Sequence, residues 1–378
     1  MELSHDILFS IAIRLDLPDI LNFCETNKKI DRKFSQLWIH KLNEVSDQES
    51  VQKIQKLRGK FSQLWIHKLN DSDQESVQKI QKIQKLRGEE IFKDLKKLYT
   101  LIYSLNKVKE SFKLEDNIYI LYNLKLIDLN NNQVREIPKE LGNLSNLQML
   151  HLYNNQIKMI PKELGNLSEL EVLDLDNNQI TEISKELGNL SNLKKLYLNN
   201  NQIFEIPKEL SKLSDLERLK LNDNKISEIP KELGNLSNLQ KLYLSINKIK
   251  MMPEELGNLS NLEYLNLSFN DISEIPKKLG NLSKLEQLDL FYNQIKMIPK
   301  ELGNLSNLQR LNLFNNQIKM IPKELGDLSN LQKLDLSNNQ IKMIPNELGK
   351  LSNLQRLYLN DNKILRIPKE LKHLPIKI

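Results

Sequence analysis

The stretch Leu147-Gln148-Met149-Leu150-His151-Leu152-Tyr153-Asn154-Asn155-Gln156-Ile157-Lys158-Met159-Ile160-Pro161-Lys162-Glu163-Leu164-Gly165-Asn166-Leu167-Ser168-Glu169 decides the fold, because it recurs without interruption. Equivalent units begin at Leu124, Leu147, Leu170, Leu193, Leu216, Leu239, Leu262, Leu285, Leu308, Leu331 and Leu354, so eleven units follow one another at a spacing of 23 residues. Self-similarity at such a period is the signature of a solenoid, in which each unit buries its apolar face only against its neighbours.

Each fixed position has a physical role. Leu150 and Leu152 alternate with polar or variable residues, which predicts a short strand with one buried face. Leu147, Ile157, Ile160, Leu164 and Leu167 are expected to close the coil around the same core. Asn155 and its equivalents recur in all eleven units, where a side-chain amide can bond backbone groups inside a turn and form a ladder between coils. Pro161 recurs in ten units and is replaced by Ser184 in one; it fixes φ ahead of a helical turn on the far side. Gly165 recurs in nine units, with Ser211 and Lys372 departing, and reads as a tight or left-handed backbone position. One coil alone orders 23 residues around seven apolar side chains, so only stacking makes it stable.

This pattern, with its Ile160-Pro161-x-x-Leu164-x-x-Leu167 segment, resembles the leucine-rich repeat family. More narrowly it resembles the 23-residue intracellular class, which includes Shoc-type scaffolds and plant disease-resistance-like proteins. The resemblance covers 124 to about 376. It implies an α/β fold: a curved solenoid with a parallel sheet on its concave face, and a role in protein recognition.

In such a strand the variable positions face outward, so departures from the repeat carry the information. The third position of the unit is basic at Lys195, Arg218 and Lys241, and the fifth reads Tyr197, Lys220 and Tyr243 in the same three units. The seventh and eighth positions are mostly Asn, Ser or Asp, but in the middle of the array they become Ile246, Phe269, Phe291, Tyr292 and Phe314. With Tyr264 at a third position, units six to nine gather an aromatic patch flanked by Lys and Arg, the composition of a binding hot spot. The candidate partner-binding residues are therefore Tyr197, Arg218, Lys220, Tyr243, Ile246, Tyr264, Phe269, Phe291, Tyr292 and Phe314. The competing reading makes Phe269, Phe291 and Phe314 filler along the strand-to-loop edge; Tyr243 and Tyr264 are expected to be exposed.

Composition excludes several other functions. The net charge is +6 over 378 residues, with an excess of three positive charges on either side of residue 123, so there is no concentrated basic arm for nucleic acid. A single cysteine, Cys24, rules out an intramolecular disulfide. The first twenty residues are broken by His5, Asp6, Arg14 and Asp16, unlike a signal peptide, and no apolar run is long enough to span a membrane. The expectation is a cytoplasmic or nuclear monomer. The repeated Asn166-Leu-Ser sequons are then structural rather than glycosylated. The five histidines are scattered without metal-ligand spacing, and no phosphate loop or catalytic constellation appears, so neither enzyme activity, cofactor nor metal is expected.

The head is different. Ile7, Leu8, Ile11 and Leu15 fall on one helical face, and Leu17-Pro18-Asp19 restarts a second helix whose apolar face carries Ile20, Leu21 and Cys24. Leu3-Ser4-His5-Asp6-Ile7-Leu8, Leu17-Pro18-Asp19-Ile20-Leu21 and Trp38-Ile-His-Lys-Leu42 resemble the F-box, with Ser4 in place of the usual proline. The resemblance implies that residues 1–43 dock on a Skp-type adaptor of a cullin-RING ubiquitin ligase through Leu3, Ile7, Leu8, Leu17, Pro18 and Leu21. A plain helical cap is the alternative.

Residues 34–59 and 61–88 are near copies, each with a capping box (Ser46…Glu49, Ser72…Glu75) and a terminal glycine, which predicts a duplicated helical hairpin spacer over 44–89. Residues 90–123 read as helix and then a half-repeat cap, with Leu114, Ile118 and Leu121 in phase with Ile137, Leu141 and Leu144. The region before 124 is thus expected to be all-α. At the other end, Leu374-Pro375-Ile-Lys-Ile378 shows no evident cap.

Overall fold

The computed structural model describes residues 124–377. The F-box-like head (1–43), the hairpin spacer (44–89) and the half-repeat cap (90–123) lie outside the described residues.

Every unit places its third to fifth residues in a three-residue strand, from β1 (Leu126–Asp128) and β2 (Met149–His151) through to β11 (Arg356–Tyr358). The strands form one parallel sheet in strict chain order. Each pairs with the next at the repeat spacing, as Leu126 with Met149 and Leu311 with Leu334. The central residue of every strand is buried, while those on either side face outward. The leucine in the middle is therefore core, and the variable third and fifth positions are the sheet's outer face.

Opposite the sheet, each unit makes one 3-10 turn, five residues long in units one to ten, such as Lys162–Asn166. Pro161 sits at its start with φ −65° and ψ 139°, the extended conformation its ring favours. Ser184 adopts nearly the same angles, so proline presets this geometry without being required for it. The core between sheet and turns is a column of fully buried leucines and isoleucines: Leu150, Leu152, Ile157, Leu164 and Leu167 have no exposed surface.

The asparagine ladder forms as the repeat implies. Asn178 Nδ2 donates to Leu152 O of the preceding coil at 2.9 Å and to Leu175 O of its own coil at 3.1 Å. Its Oδ1 accepts the Ile157 N–H at 3.0 Å. With a further contact from Nδ2 to Asp176 O at 3.3 Å, one buried amide serves four backbone groups across two coils.

Two expectations need correction. The repeat glycine is not left-handed: no described glycine has positive φ. It is required because a Cβ on Gly165 would fall on the carbonyl of Glu186 in the next coil, and the other eight repeat glycines face the same obstruction. The demand is close approach between coils. The C-terminus, for its part, is capped. Ile376–Lys377 forms a twelfth strand, β12, paired with β11 in the register Leu357 to Ile376. That partner lies nineteen residues on rather than 23: the last 3-10 turn shrinks to Lys369–Leu371 and the link from turn to strand is shorter as well. Leu371 and Leu374 stay buried and close the final coil.

Candidate functional site

The left-handed conformation belongs to the eighth position of the unit. Every unit has positive φ there, between 51° and 61°. The backbone is held in this state by its neighbours: Ile246 N–H donates to Ser268 O at 3.0 Å, and Phe269 N–H to Phe291 O at 2.9 Å. Eight units fill the position with Asn or Asp, which tolerate this region. Their side chains also form an outer ladder, as Asn200 Nδ2 donating to Asn177 Oδ1 at 2.7 Å. Units six, seven and eight place Ile246, Phe269 and Tyr292 there instead, at φ 55°, 52° and 54°. A side chain with a bulky Cβ substituent costs about 1–2 kcal/mol in this conformation. All three are also exposed, at 48%, 44% and 40%.

These residues build a ridge along the C-terminal ends of the strands. Phe269 and Tyr292 stack at 4.5 Å with planes 12° apart. Phe291 meets both rings edge-on, at 5.3 Å and 6.1 Å, and Phe314 extends the series from Tyr292 at 5.2 Å. Phe291 and Phe314 are half-buried, so they act as the floor on which the exposed pair rests. The competing reading as filler thus holds in part for these two and fails for Phe269.

Tyr243 and Tyr264, expected to be exposed, are half-buried. Their rings touch each other at 4.9 Å. The Tyr264 hydroxyl donates to Asp289 Oδ2 at 2.8 Å, while Asn266 Nδ2 donates to the tyrosine oxygen at 3.2 Å. Burial and the adjoining carboxylate hold the Tyr264 hydroxyl well above the usual tyrosine range, and burial also raises Asp289. Asp289 was no candidate in the sequence, because an aspartate at a fifth position looks solvated until the tyrosine one strand away closes over it.

Beside this pair lies a basic block. Lys195, Arg218 and Lys241 are mutually paired third positions, and Tyr197, Lys220 and Tyr243 are paired fifth positions. The Lys220 ammonium sits 4.6 Å from the Tyr197 ring centre and 5.6 Å from that of Tyr243. The positive charge of Arg218 partly offsets the upward push of burial on the Tyr197 hydroxyl. Arg218 Nε is the one buried side-chain polar atom without a hydrogen-bond partner among the described residues.

The first units present a different surface, also unforeseen in the sequence. Asp174 and Asp176 are both raised by burial, Asp176 to about 6, although Asn199 donates to Asp176 through its backbone N–H at 2.6 Å and its side chain at 2.9 Å. Among the described residues no group of three His, Cys, Asp or Glu could hold a metal ion, and no helix is long and apolar enough to cross a membrane.

The sequence pattern of the leucine-rich repeat region matches residues 101–220, 170–297 and 299–376. The chain belongs to the leucine-rich repeat family. Proteins of this fold serve typically as interaction modules, and no catalytic family is indicated.

The chain is similar to several solved leucine-rich repeat structures. It is similar to the ectodomain of the plant membrane receptor kinase GASSHO1/SCHENGEN3 from Arabidopsis thaliana, solved in complex with CASPARIAN STRIP INTEGRITY FACTOR 2. Identity there is 38% and the TM-score 0.61, over 65% of this chain and 31% of that one. It also resembles the plant peptide hormone receptor RGFR1 in complex with RGF2, at 33% identity and TM-score 0.58, over 69% and 48% of the two chains. An internalin, inlF from Listeria monocytogenes, matches at 28% identity and TM-score 0.54, over 68% and 81%. The chain spans less than half the length of the two plant receptors. No curated protein matches it.

Proposed function

We propose that this leucine-rich repeat chain recruits a protein target on its sheet face, at units four to nine, and serves as the substrate-recruiting subunit of a cullin-RING ubiquitin ligase. The observation that carries target binding is the run of Ile246, Phe269 and Tyr292. Three successive units keep strained backbone under exposed apolar side chains where Asn or Asp would be relaxed and soluble. Such strain persists where a function compensates for it, and covering an apolar ridge by a partner does so. The structures of plant receptors solved with peptide ligands support the same use of the fold.

The ubiquitin-ligase role rests on the F-box resemblance of residues 1–43, with Leu3, Ile7, Leu8, Leu17, Pro18 and Leu21 as the adaptor contact. Transfer chemistry would reside in other subunits, which fits a chain without a catalytic constellation in its sequence. The Ile-Pro-x-x-Leu-x-x-Leu segment supports a second reading, a signalling scaffold of the Shoc type with no ubiquitin link.

A pull-down of the intact protein with a purified Skp-type adaptor separates the two. Binding that disappears in a Leu8→Ala/Leu21→Ala variant, with unchanged far-ultraviolet circular dichroism, is the expected result. No binding by the intact, folded chain leaves the scaffold.

A further inference from the structure

The basic block and the apolar ridge adjoin, joined by the touching rings of Tyr243 and Tyr264. We infer that the target presents a short acidic segment, its carboxylates over units four to six and its apolar side chains over units six to eight; this rests on the sheet face being the recognition surface. Lys195 is paired with Arg218 and Arg218 with Lys241, so three like charges stand opposite one another on adjacent strands, an arrangement that destabilises a sheet. Lys220 adds a fourth, and none of the six residues at these positions is acidic. None of the four cations takes part in the ion pairs found among the described residues. Beside the block, burial raises Asp174 above the ordinary aspartate range, and Lys220 opposes that shift there and at Asp176. Arg218 Nε is left without a partner in the middle of the block.

The other basic third positions differ. Arg310 and Lys333 both act on Asp289, and Asp335 shares the strand with Lys333, so that end carries its own counter-charges. In units four to six the row Lys195, Arg218 and Lys241 stands next to the ridge and takes part in none of the ion pairs found among the described residues. A partner carboxylate there relieves repulsion the chain otherwise bears, and the adjoining ridge supplies the apolar burial that gives affinity.

Units four to eight are four strand steps, roughly 19 Å at about 4.8 Å each, the span of about six residues of extended chain. A short linear segment suffices, with its acidic part toward unit four and its apolar part toward unit eight.

The test is panning of a random dodecapeptide phage library against the full-length protein, followed by fluorescence anisotropy on the most enriched peptide. Enriched peptides are expected to join acidic residues to aliphatic or aromatic ones. Lys220→Gln/Lys241→Gln should weaken the peptide by about 10-fold and flatten its salt dependence, whereas Lys333→Gln should not. Phe269→Asn/Tyr292→Asn should weaken it at every salt concentration. Melting curves confirm that each variant is folded. Enriched peptides without acidic bias that still depend on Phe269 and Tyr292 would keep recognition at this face and overturn the charge arrangement. Affinity untouched by the lysine variants, or displacement of the peptides by an oligouridylate, would also overturn it. No enrichment over bare support would overturn both readings.

Discussion

Phe269 lies flat against Tyr292, ring centres 4.5 Å apart, and both residues hold left-handed backbone that eight other units assign to Asn or Asp. The stacking returns about 0.5–1.5 kcal/mol, against a backbone cost of about 1–2 kcal/mol for each residue. Stacking alone does not offset that backbone cost, and Ile246, which carries no ring, gains no stacking at all.

Replacing Ile246 with Asn should accordingly stabilise the protein by roughly 1 kcal/mol, because the left-handed backbone stays and its penalty falls. Urea denaturation gives the measurement, as a higher midpoint at unchanged slope. A lower midpoint would mean that the isoleucine contributes more by packing than its 48% exposure implies.

Asn270 joins four backbone groups: its Nδ2 donates to Leu244 O at 3.0 Å, Leu267 O at 3.1 Å and Ser268 O at 3.2 Å, and its Oδ1 accepts from Ile249 N at 2.9 Å. Asn270→Ala should cost roughly 2–4 kcal/mol, because these groups are buried and lose their partners. Hydrogen exchange should quicken first at the Ile249 amide. Asn270→Asp keeps the acceptor but turns a carboxylate toward three carbonyls, and should be no better.

Gly257→Ala distinguishes steric from conformational demand. Its φ is not positive, so alanine would suit the 3-10 turn by propensity. The added Cβ would meet the Lys278 carbonyl of the next coil. A loss of about 1–3 kcal/mol, the range for overpacking, is expected in thermal melting. A gain would show that the coils separate freely.

Asp176 has its folded pKa raised to about 6, mainly by burial, above the ordinary aspartate value of 3.8. A raised acid favours the protonated folded state. Its contribution is therefore fully present below about pH 4 and is lost as pH rises through 6. Between pH 4 and pH 7 the wild-type protein should lose on the order of 1–2 kcal/mol relative to Asp176→Asn, after allowance for solvent screening. Paired melts across that window check it; parallel curves would place the ionised carboxylate in a well-solvated site.

The fold was legible because the repeat states each constraint eleven times. Period-two leucines, one invariant asparagine and a proline before a leucine-bearing turn leave few ways to coil the chain, and strand, ladder and turn appear where those residues stand. The aromatic composition of the ridge was legible too, since Phe269 and Tyr292 depart from an otherwise polar position. Exposure was not. Whether Tyr264 faces solvent depends on Asp289, which lies 25 residues away in sequence and one strand away in space.

The sequence by itself thus determined the coil, the stack and the rows of residues that share a face, because spacing alone fixes which side chains align. Only the tertiary structure decided what the glycine and the eighth position are for. Glycine is required by a carbonyl in the next coil, and the left-handed turn is imposed by hydrogen bonds from the next coil. Both demands come from the neighbouring unit, and a single unit, read alone, contains neither.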